Sequence, residues 1–311
     1  MANTKLQFGI ATPQIHGEFP VDQEEIRNGI QRAEALGFHS LWVQEQAGLR
    51  AAAGALEGVS MLSYAAALTR KARLGNAVFL INLRNPILLA KSLASLDQLS
   101  QGRVIFGVGL GAVTRLYAAY GLSPERRVAR FVEALTLIKK LWVEDKVNFD
   151  GQFWQLKEAS LLPKPLQKPH PPIWFGAHSA PAVRRAVKMG DGFVGAGSSS
   201  TADFKALVEA LRQALDEAHR DPEGFTVAKR VYIAVDRNAN RALQRTREWF
   251  TQYYGRAELA DQVAIWGSRE ECSARLSEVV SAGARLLILN PMYDLTEQME
   301  QLAKEVIPSV G

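Results

Sequence analysis

Three short segments carry residue types suited to chemistry. The run Trp42-Val43-Gln44-Glu45-Gln46 ends an apolar stretch with one ionisable carboxylate, Glu45, and one amide, Gln46. Burial there would raise the pKa of Glu45 toward general acid or base work, or the carboxylate braces the rim as half of an ion pair; both readings stand. Gln46 cannot transfer a proton near neutrality, but its amide can hydrogen-bond a ligand. In Gly107-Val108-Gly109-Leu110-Gly111 the missing side chains let a flat ring or a phosphate approach the main chain, or they relieve a tight strand end. The spacing alone is not a dinucleotide fingerprint. The third segment, Gly176-Ala177-His178-Ser179, precedes a helix over Ala180–Met189 with Pro181 in its first turn. Exposed amides at such a start, helped by the helix dipole, hold a phosphate without any lysine. His178 either adds a donor or is an idle loop histidine.

Other chemistries find little support. The lone Cys272 excludes an internal disulfide or a cysteine metal cluster, and it is expected on a surface helix. His16 and His39 lie too far apart to suggest a metal site, so no metal is expected. A net charge of +5 invites a nucleic-acid reading, but the basic residues are spread among Glu and Asp with no dense basic run, so no such partner is expected. Apolar residues at 47% and charged residues at 22% describe a globular chain with a large core. The opening residues lack a basic, apolar leader and no run reaches membrane-spanning length, so the expected location is cytoplasmic.

The elements that must position these segments alternate along the chain. Short β-branched runs are expected as strands at 6–11, 40–43, 73–81, 104–108, 173–175, 192–194, 227–235 and 285–289. Continuous apolar interiors such as Val104-Ile105-Phe106 and Leu286-Leu287-Ile288-Leu289 suit strands covered on both faces. Asp22 with Glu25, Asn85-Pro86 and Ser123-Pro124 mark helix starts. Between the fourth and fifth strands an insertion of about 112–170 holds a helix over 124–143, a hairpin over 146–156 turning at Asp150-Gly151, and a proline-rich extended connector to Pro172. The expected fold is α/β: a single (β/α)8 TIM barrel over 1–311, with strand C-terminal ends forming one pocket. Asp97 and Arg103 fall at the opposite, stabilising end, and Trp142, Trp154 and Trp174 read as core.

Four segments in order resemble the luciferase-like flavin oxidoreductase superfamily. They are Leu74-Gly75-Asn76-Ala77-Val78-Phe79 with Arg84-Asn85-Pro86 and Leu96 to Arg103; the run to Gly111; Phe149-Asp150-Gly151-Gln152-Phe153-Trp154 with Leu162-Pro163-Lys164-Pro165 and Pro171-Pro172-Ile173-Trp174; and Phe175 to Ser179 with Gly190-Asp191-Gly192-Phe193. From about Thr201 the likeness is loose. The resemblance implies the luciferase-like type of barrel, with a non-prolyl cis bond or bulge at Ala77 to Val78 behind an isoalloxazine-type ring. It further implies a cofactor site of Ala77, Val78, Leu80, Gly107, Gly109, Gly111, Gly176, Ala177, His178 and Ser179. Relatives commonly place histidine after the strand-two carboxylate; Gln46 stands here, which leaves Glu45 as the acid or base.

The implied enzyme is a flavin- or deazaflavin-dependent oxidoreductase acting on a small molecule. Coenzyme F420 for hydride transfer is favoured over FMN, since Leu110 stands where luciferases place a phosphate-binding arginine and no histidine pair follows Glu45; Arg115 is a further cation near that end. The alternatives are an FMN-dependent monooxygenase served by a flavin reductase, a non-catalytic flavin-binding barrel, and, last, a hydrolase. The family implies a homodimer through helices beside strands two and three. The run Ala51-Ala52-Ala53-Gly54-Ala55 suggests a lid.

Overall fold

The computed structural model describes residues 6–17, 19–45, 54–111 and 116–311. Eight parallel strands close on themselves: β1 (Gln7–Ala11), β2 (Ser40–Val43), β3 (Arg73–Asn76), β4 (Val104–Gly109), β5 (Ile173–Gly176), β6 (Gly192–Gly195), β7 (Thr226–Val235) and β8 (Leu286–Pro291). Each pairs with the next, and β8 returns to β1 with Leu287 opposite Phe8. The expected (β/α)8 barrel is the fold found. Outside it pack α1 (Gln23–Ala35), α2 (Gly58–Leu68), α3 (Pro86–Leu99), α4 (Arg127–Val143), α5 (Ala180–Met189), α6 (Thr201–Glu217), α7 (Ala239–Tyr254) and α8 (Arg269–Ser281).

The period-2 alternation of the strands sorts side chains into two layers. Trp42, Ile105, Trp174, Val194, Ala228, Leu286 and Ile288 fill the barrel interior, while their strand neighbours meet the helices in a larger outer core. Trp42 and Trp174 stack with centroids 5.5 Å apart, and the Trp42 indole donates to Ser40 Oγ at 2.8 Å. That satisfied indole lets so large a group lie inside.

The N-terminal end of the barrel is held by the two residues expected there. Arg103 donates to the carbonyls of Ala66, Thr69, Ala72 and Ser100, closing the C-terminus of α2. Asp97 accepts from the main-chain amide and the side chain of Gln167 at 2.9 and 2.7 Å, tying the proline-rich connector beneath α3. The hairpin of the insertion pairs Val147–Asp150 with Gln155–Ala159, and Glu133 of α4 accepts the amides of Gln152, Phe153 and Trp154 at its turn.

Three expectations need correction, and a fourth lies largely outside the described residues. Strand three does not run unbroken over 73–81: it stops at Asn76, passes a cis Ala77–Val78 peptide, and resumes as Phe79–Leu80. The long helix starts at Arg127 rather than 124, because Arg126 takes a left-handed φ of 56°. Cys272 is buried on the inner face of α8, near the carbonyls of Gly267 and Ala234, where burial pushes its thiol pKa up to about 12. The proposed lid falls largely outside the described residues; Gly54–Ala55 form a short ribbon with Ile15–His16.

The break in β3 is filled by a side chain. Main-chain pairing of β3 with β4 ends at Gly75 opposite Ile105 and resumes only at Phe79 opposite Val108. In the gap the Asn76 carboxamide accepts from the Gly107 amide at 3.0 Å and donates to the Gly107 carbonyl at 2.5 Å. A Cβ at residue 107 would lie 1.8 Å from the Asn76 carbonyl oxygen, so only glycine fits. Gly107→Ala is therefore expected to lower the free energy of unfolding by about 3 kcal/mol, the upper range for overpacking; urea denaturation monitored by tryptophan fluorescence checks this, and a midpoint equal to wild type would refute the close fit.

Candidate active site

Two cavities open side by side at the C-terminal ends of the strands. The larger, of about 420 Å³, runs from the kink after β3 to the start of α5 and falls in the range of roughly 300–1,000 Å³ typical of ligand pockets. The smaller, of about 200 Å³, is walled by the ends of β1, β2 and β8. They meet at Ala77 and Arg230, which line both.

Nine of the ten expected cofactor positions line the larger cavity. Ala77, Val78 and Leu80 form one wall with Gly109 and Gly111, and Gly176, Ala177, His178 and Ser179 face them. The tenth, Gly107, does not: it sits below, clasped to Asn76, so its missing side chain serves strand packing. Gly109 and Gly176 also make room for protein, since a Cβ would meet Val78 Cγ2 at 2.5 and 3.1 Å. Their absence lets Val78 press between β4 and β5 and present the kink to the cavity. The loop after β5 carries amides at His178, Ser179 and Ala180 that donate no hydrogen bond to other described residues, at the N-terminus of α5. Such amides are suited to an anion. Burial, and then the charge of Lys229, lower the pKa of His178, so its ring is neutral at pH 7 and offers a hydrogen bond rather than a charge.

The expected catalytic pair fares differently. Glu45 lines neither cavity; both of its oxygens are taken by Arg84, from Nε at 2.8 Å and Nη2 at 2.9 Å. Arg84 also reaches Glu57 at 2.8 Å and lies over the Phe79 ring at 4.4 Å, and this network pins the end of β2 to the segment beyond the kink. Its carboxylate thus braces the rim through Arg84, the second of the two roles open from the sequence. Gln46 and Arg115 lie outside the described residues.

Two cations escaped the reading of the sequence although their signal was plain: Lys229 and Arg230 interrupt the apolar run Val227 to Val235. Strand alternation sends them to opposite faces of β7. Arg230 points inward to the junction of the two cavities, donating to Asn290 Oδ1 from Nε at 3.0 Å and Nη2 at 2.5 Å, with its guanidinium 4.9 Å from the Tyr232 ring centroid. Among the described residues it has no carboxylate partner. Lys229 points outward and is 3% exposed. Its ammonium donates to the carbonyls of Ala196 and Ser199 and to Ser199 Oγ, holding the loop after β6 that closes one side of the larger cavity.

One further histidine lines the smaller cavity, and Tyr254 lines the larger one. His16 Nε2 contacts the Pro13 carbonyl at 3.1 Å. A carbonyl only accepts, so Nε2 carries a hydrogen, and in that tautomer Nδ1 is the acceptor. That nitrogen belongs to a residue of the smaller cavity. The Tyr254 hydroxyl meets that of Tyr232 at 2.7 Å, and Gln14 is consumed structurally, bridging Gln44 and Leu56.

Burial, and then the charge of Arg230, pull the Lys229 pKa down to about 7, with Asp203 opposing. The unfolded chain has the ordinary value of 10.5 and binds more protons between these limits, so stability rises with pH above about 7 and this group adds no slope below it. The expected slope is at most about 1.4 kcal/mol per pH unit. Urea unfolding at pH 7.5 and 8.5 should show it in the wild type and not in Lys229→Met; equal slopes in both would contradict the assignment.

The geometry can now be set beside known proteins. A family model described as luciferase-like monooxygenase matches residues 6–286. An F420-dependent glucose-6-phosphate dehydrogenase of Intrasporangium calvum is 30% identical over 312 residues, covering 90% of this chain and 92% of the relative. One of the same name from Amycolatopsis mediterranei is 28% identical over 310 residues, with the same coverage. Among solved structures, an F420-dependent secondary alcohol dehydrogenase superposes with a TM-score of 0.86 over 99% of both chains at 22% identity, a likeness of fold. A monooxygenase of Streptomyces bottropensis follows with a TM-score of 0.79 at 25% identity, over 97% of this chain and 99% of that one. The kinked third strand, the glycine-lined cavity and the match over most of the barrel lead to one conclusion: the chain belongs to the luciferase-like monooxygenase family of oxidoreductase enzymes.

Proposed function

We propose that this enzyme uses coenzyme F420 to move a hydride to or from a small hydroxyl- or carbonyl-bearing substrate. The observation that carries the reading is the pair of cavities meeting over the β3 kink, one long and ending in free amides, the other small and polar. The names shared by the curated relatives support F420 over FMN. The residues present fit such a cofactor: the cavity is large enough, its walls near the kink are apolar, and the amides of His178, Ser179 and Ala180 offer a phosphate seat. Bound there, F420 supplies the ring carbon that gives or takes the hydride.

The chain's own groups supply the rest. Ala77, Val78 and Leu80 back the ring, with Gly109 and Gly111 beside them, and Gly176 and Ala177 lead the main chain into the phosphate loop. In the smaller cavity Arg230, oriented by Asn290, holds the substrate oxygen by charge-assisted hydrogen bonds. His16 takes the hydroxyl proton at Nδ1 when the substrate is oxidised and returns it in reduction, the task that Glu45, neutralised by Arg84, is not placed to perform. The same reading carries a cytoplasmic homodimer, supported by the exposed Leu88 and Leu99 of α3 beside strand three.

Titration of the purified protein with F420 and with FMN, followed by cofactor fluorescence, tests the cofactor assignment. F420 is expected to bind at least about tenfold more tightly, a difference near 1.4 kcal/mol. Tighter FMN binding, with oxygen consumption in the presence of a flavin reductase, would replace hydride transfer by oxygenation. Loss of binding to both would sink the proposal.

Once a substrate is found, Arg230→Met should lower kcat/KM about 10- to 100-fold, the loss expected for a hydrogen bond from a charged donor. His16→Gln should lower kcat by about two orders of magnitude or more. Unchanged kinetics in either variant would remove that residue from the mechanism.

A further inference from the structure

A separate aromatic core, distinct from the barrel interior and from the layer under the helices, supplies one wall of the smaller cavity. At its far end β7 pairs Ile233, Ala234 and Val235 with Ile265, Trp266 and Gly267, and α7 packs against this extension. Along α7 the residues Ala242, Thr246, Trp249, Phe250 and Tyr253 recur at helical spacing and so share one face. Ala242, Thr246 and Phe250 are fully buried there, whereas Trp249, at the margin, is partly buried and lines the cavity. Its indole is fixed by other rings: Tyr253, one turn on, stacks with centroids 4.6 Å apart and 13° between planes, and Tyr232 and Phe250 meet it at 5.2 and 5.4 Å. Ile15, Ile288, Met292 and Leu295 continue the apolar lining.

The charges of this cavity oppose an anionic substrate. Among the described residues Arg230 is the one arginine or lysine that lines it, and the proposed mechanism commits that guanidinium to the reacting oxygen. Two carboxylates line the same space, Glu25 at the start of α1 and Asp294 after β8. Asp294 is paired with Arg245 at 2.5 Å, and Arg245 lies 3.7 Å from the Tyr293 ring centroid. Glu25 has no cation partner among the described residues. A phosphate dianion brought into this cavity meets an unpaired carboxylate and an arginine already engaged, which makes its desolvation costly. An uncharged ring meets neither penalty and gains apolar contact with Trp249.

We propose that the substrate is an uncharged cyclic secondary alcohol, or the matching ketone, whose ring rests on Trp249, and that the cavity rejects phosphorylated sugars. Oxidation of such an alcohol removes a hydride from the carbinol carbon, received by F420, and the hydroxyl proton, received by His16, and leaves the carbon–oxygen double bond of the ketone. Trp249 touches the part of the substrate that does not react and determines specificity. The inference rests on the F420 reading and narrows its substrate, and it sets this chain apart from the relatives named for glucose 6-phosphate.

The test uses the protein loaded with F420. Binding is read as a rise in melting temperature with cyclohexanone or with glucose 6-phosphate, and turnover as the loss of cofactor fluorescence with cyclohexanol, propan-2-ol or glucose 6-phosphate. Cyclohexanone is expected to raise the melting temperature and glucose 6-phosphate at the same concentration to leave it unchanged. In the wild type kcat/KM for cyclohexanol should exceed that for propan-2-ol at least about tenfold, because the additional methylenes are buried. Trp249→Ala should bring that ratio close to one, chiefly through the KM for cyclohexanol, and Trp249→Phe should keep most of it. Glucose 6-phosphate that binds or turns over as well as the cyclic pair, or cyclohexanone that does not bind, overturns the substrate class while leaving the F420 assignment intact. A wild type without the preference, or a preference that survives in Trp249→Ala, removes Trp249 from the site. If F420 itself does not bind, the functional reading fails and takes this inference with it.

Discussion

The clasp between Asn76 and Gly107 is the contact on which the barrel mouth depends. A parallel barrel strand ordinarily satisfies its main chain through its neighbours, and a strand that turns aside at Ala77 leaves donors and acceptors of β4 unmet inside the protein. The Asn76 carboxamide satisfies both groups of Gly107 at once. With that gap closed, Val78 can lodge against Gly109 and Gly176, and the main chain of the kink faces the cavity instead of a neighbouring strand. On its other side the Glu45–Arg84–Glu57 network fixes the outgoing segment to β2 and α2. The kink is thus held from below by hydrogen bonds, from the flank by packing and from above by ion pairs.

A second constraint is electrostatic and follows from alternation along β7. Adjacent cations cannot both face the interior, so Arg230 enters the mouth and Lys229 leaves it. Arg230 remains charged in a half-buried setting because Asn290 accepts from it and the tyrosines of the aromatic cluster around Tyr232 surround it. Lys229, more deeply buried, spends its donors on the main chain of the loop after β6. One cation addresses ligands and the other shapes the wall beside them, although they differ by a single position in the sequence.

The barrel was legible because its signal repeats: eight apolar runs, separated by amphipathic helices, define the strands with no long-range information. The cavity-facing glycines and the loop after β5 were legible as pocket residues because strand C-terminal ends share one face of a barrel. What failed depended on contacts between distant segments. Gly107 looked like Gly109, yet its role is set by Asn76, thirty-one residues away. Glu45 stayed open between acid or base and rim brace because nothing near it in sequence reveals that Arg84 reaches back to it. Cys272 looked exposed because a helix with polar flanks does not disclose which of its faces meets β7. Arg230 was a different failure, since a charge within an apolar strand is itself a local anomaly and points to a site without any structure.

Charge is distributed unevenly along the cleft. Near the kink most of the walls are apolar, and the loop after β5 offers amides and a neutral His178, groups suited to holding an anion by directed hydrogen bonds. Full charges occur at the two ends: Arg230 toward the smaller cavity and Arg185 of α5 in the wall of the larger one. The cleft therefore reads as an apolar slot with an oxygen-seeking group at each end, and a ligand must carry an apolar ring between two oxygen-bearing ends, one its own and one the substrate's, to satisfy both.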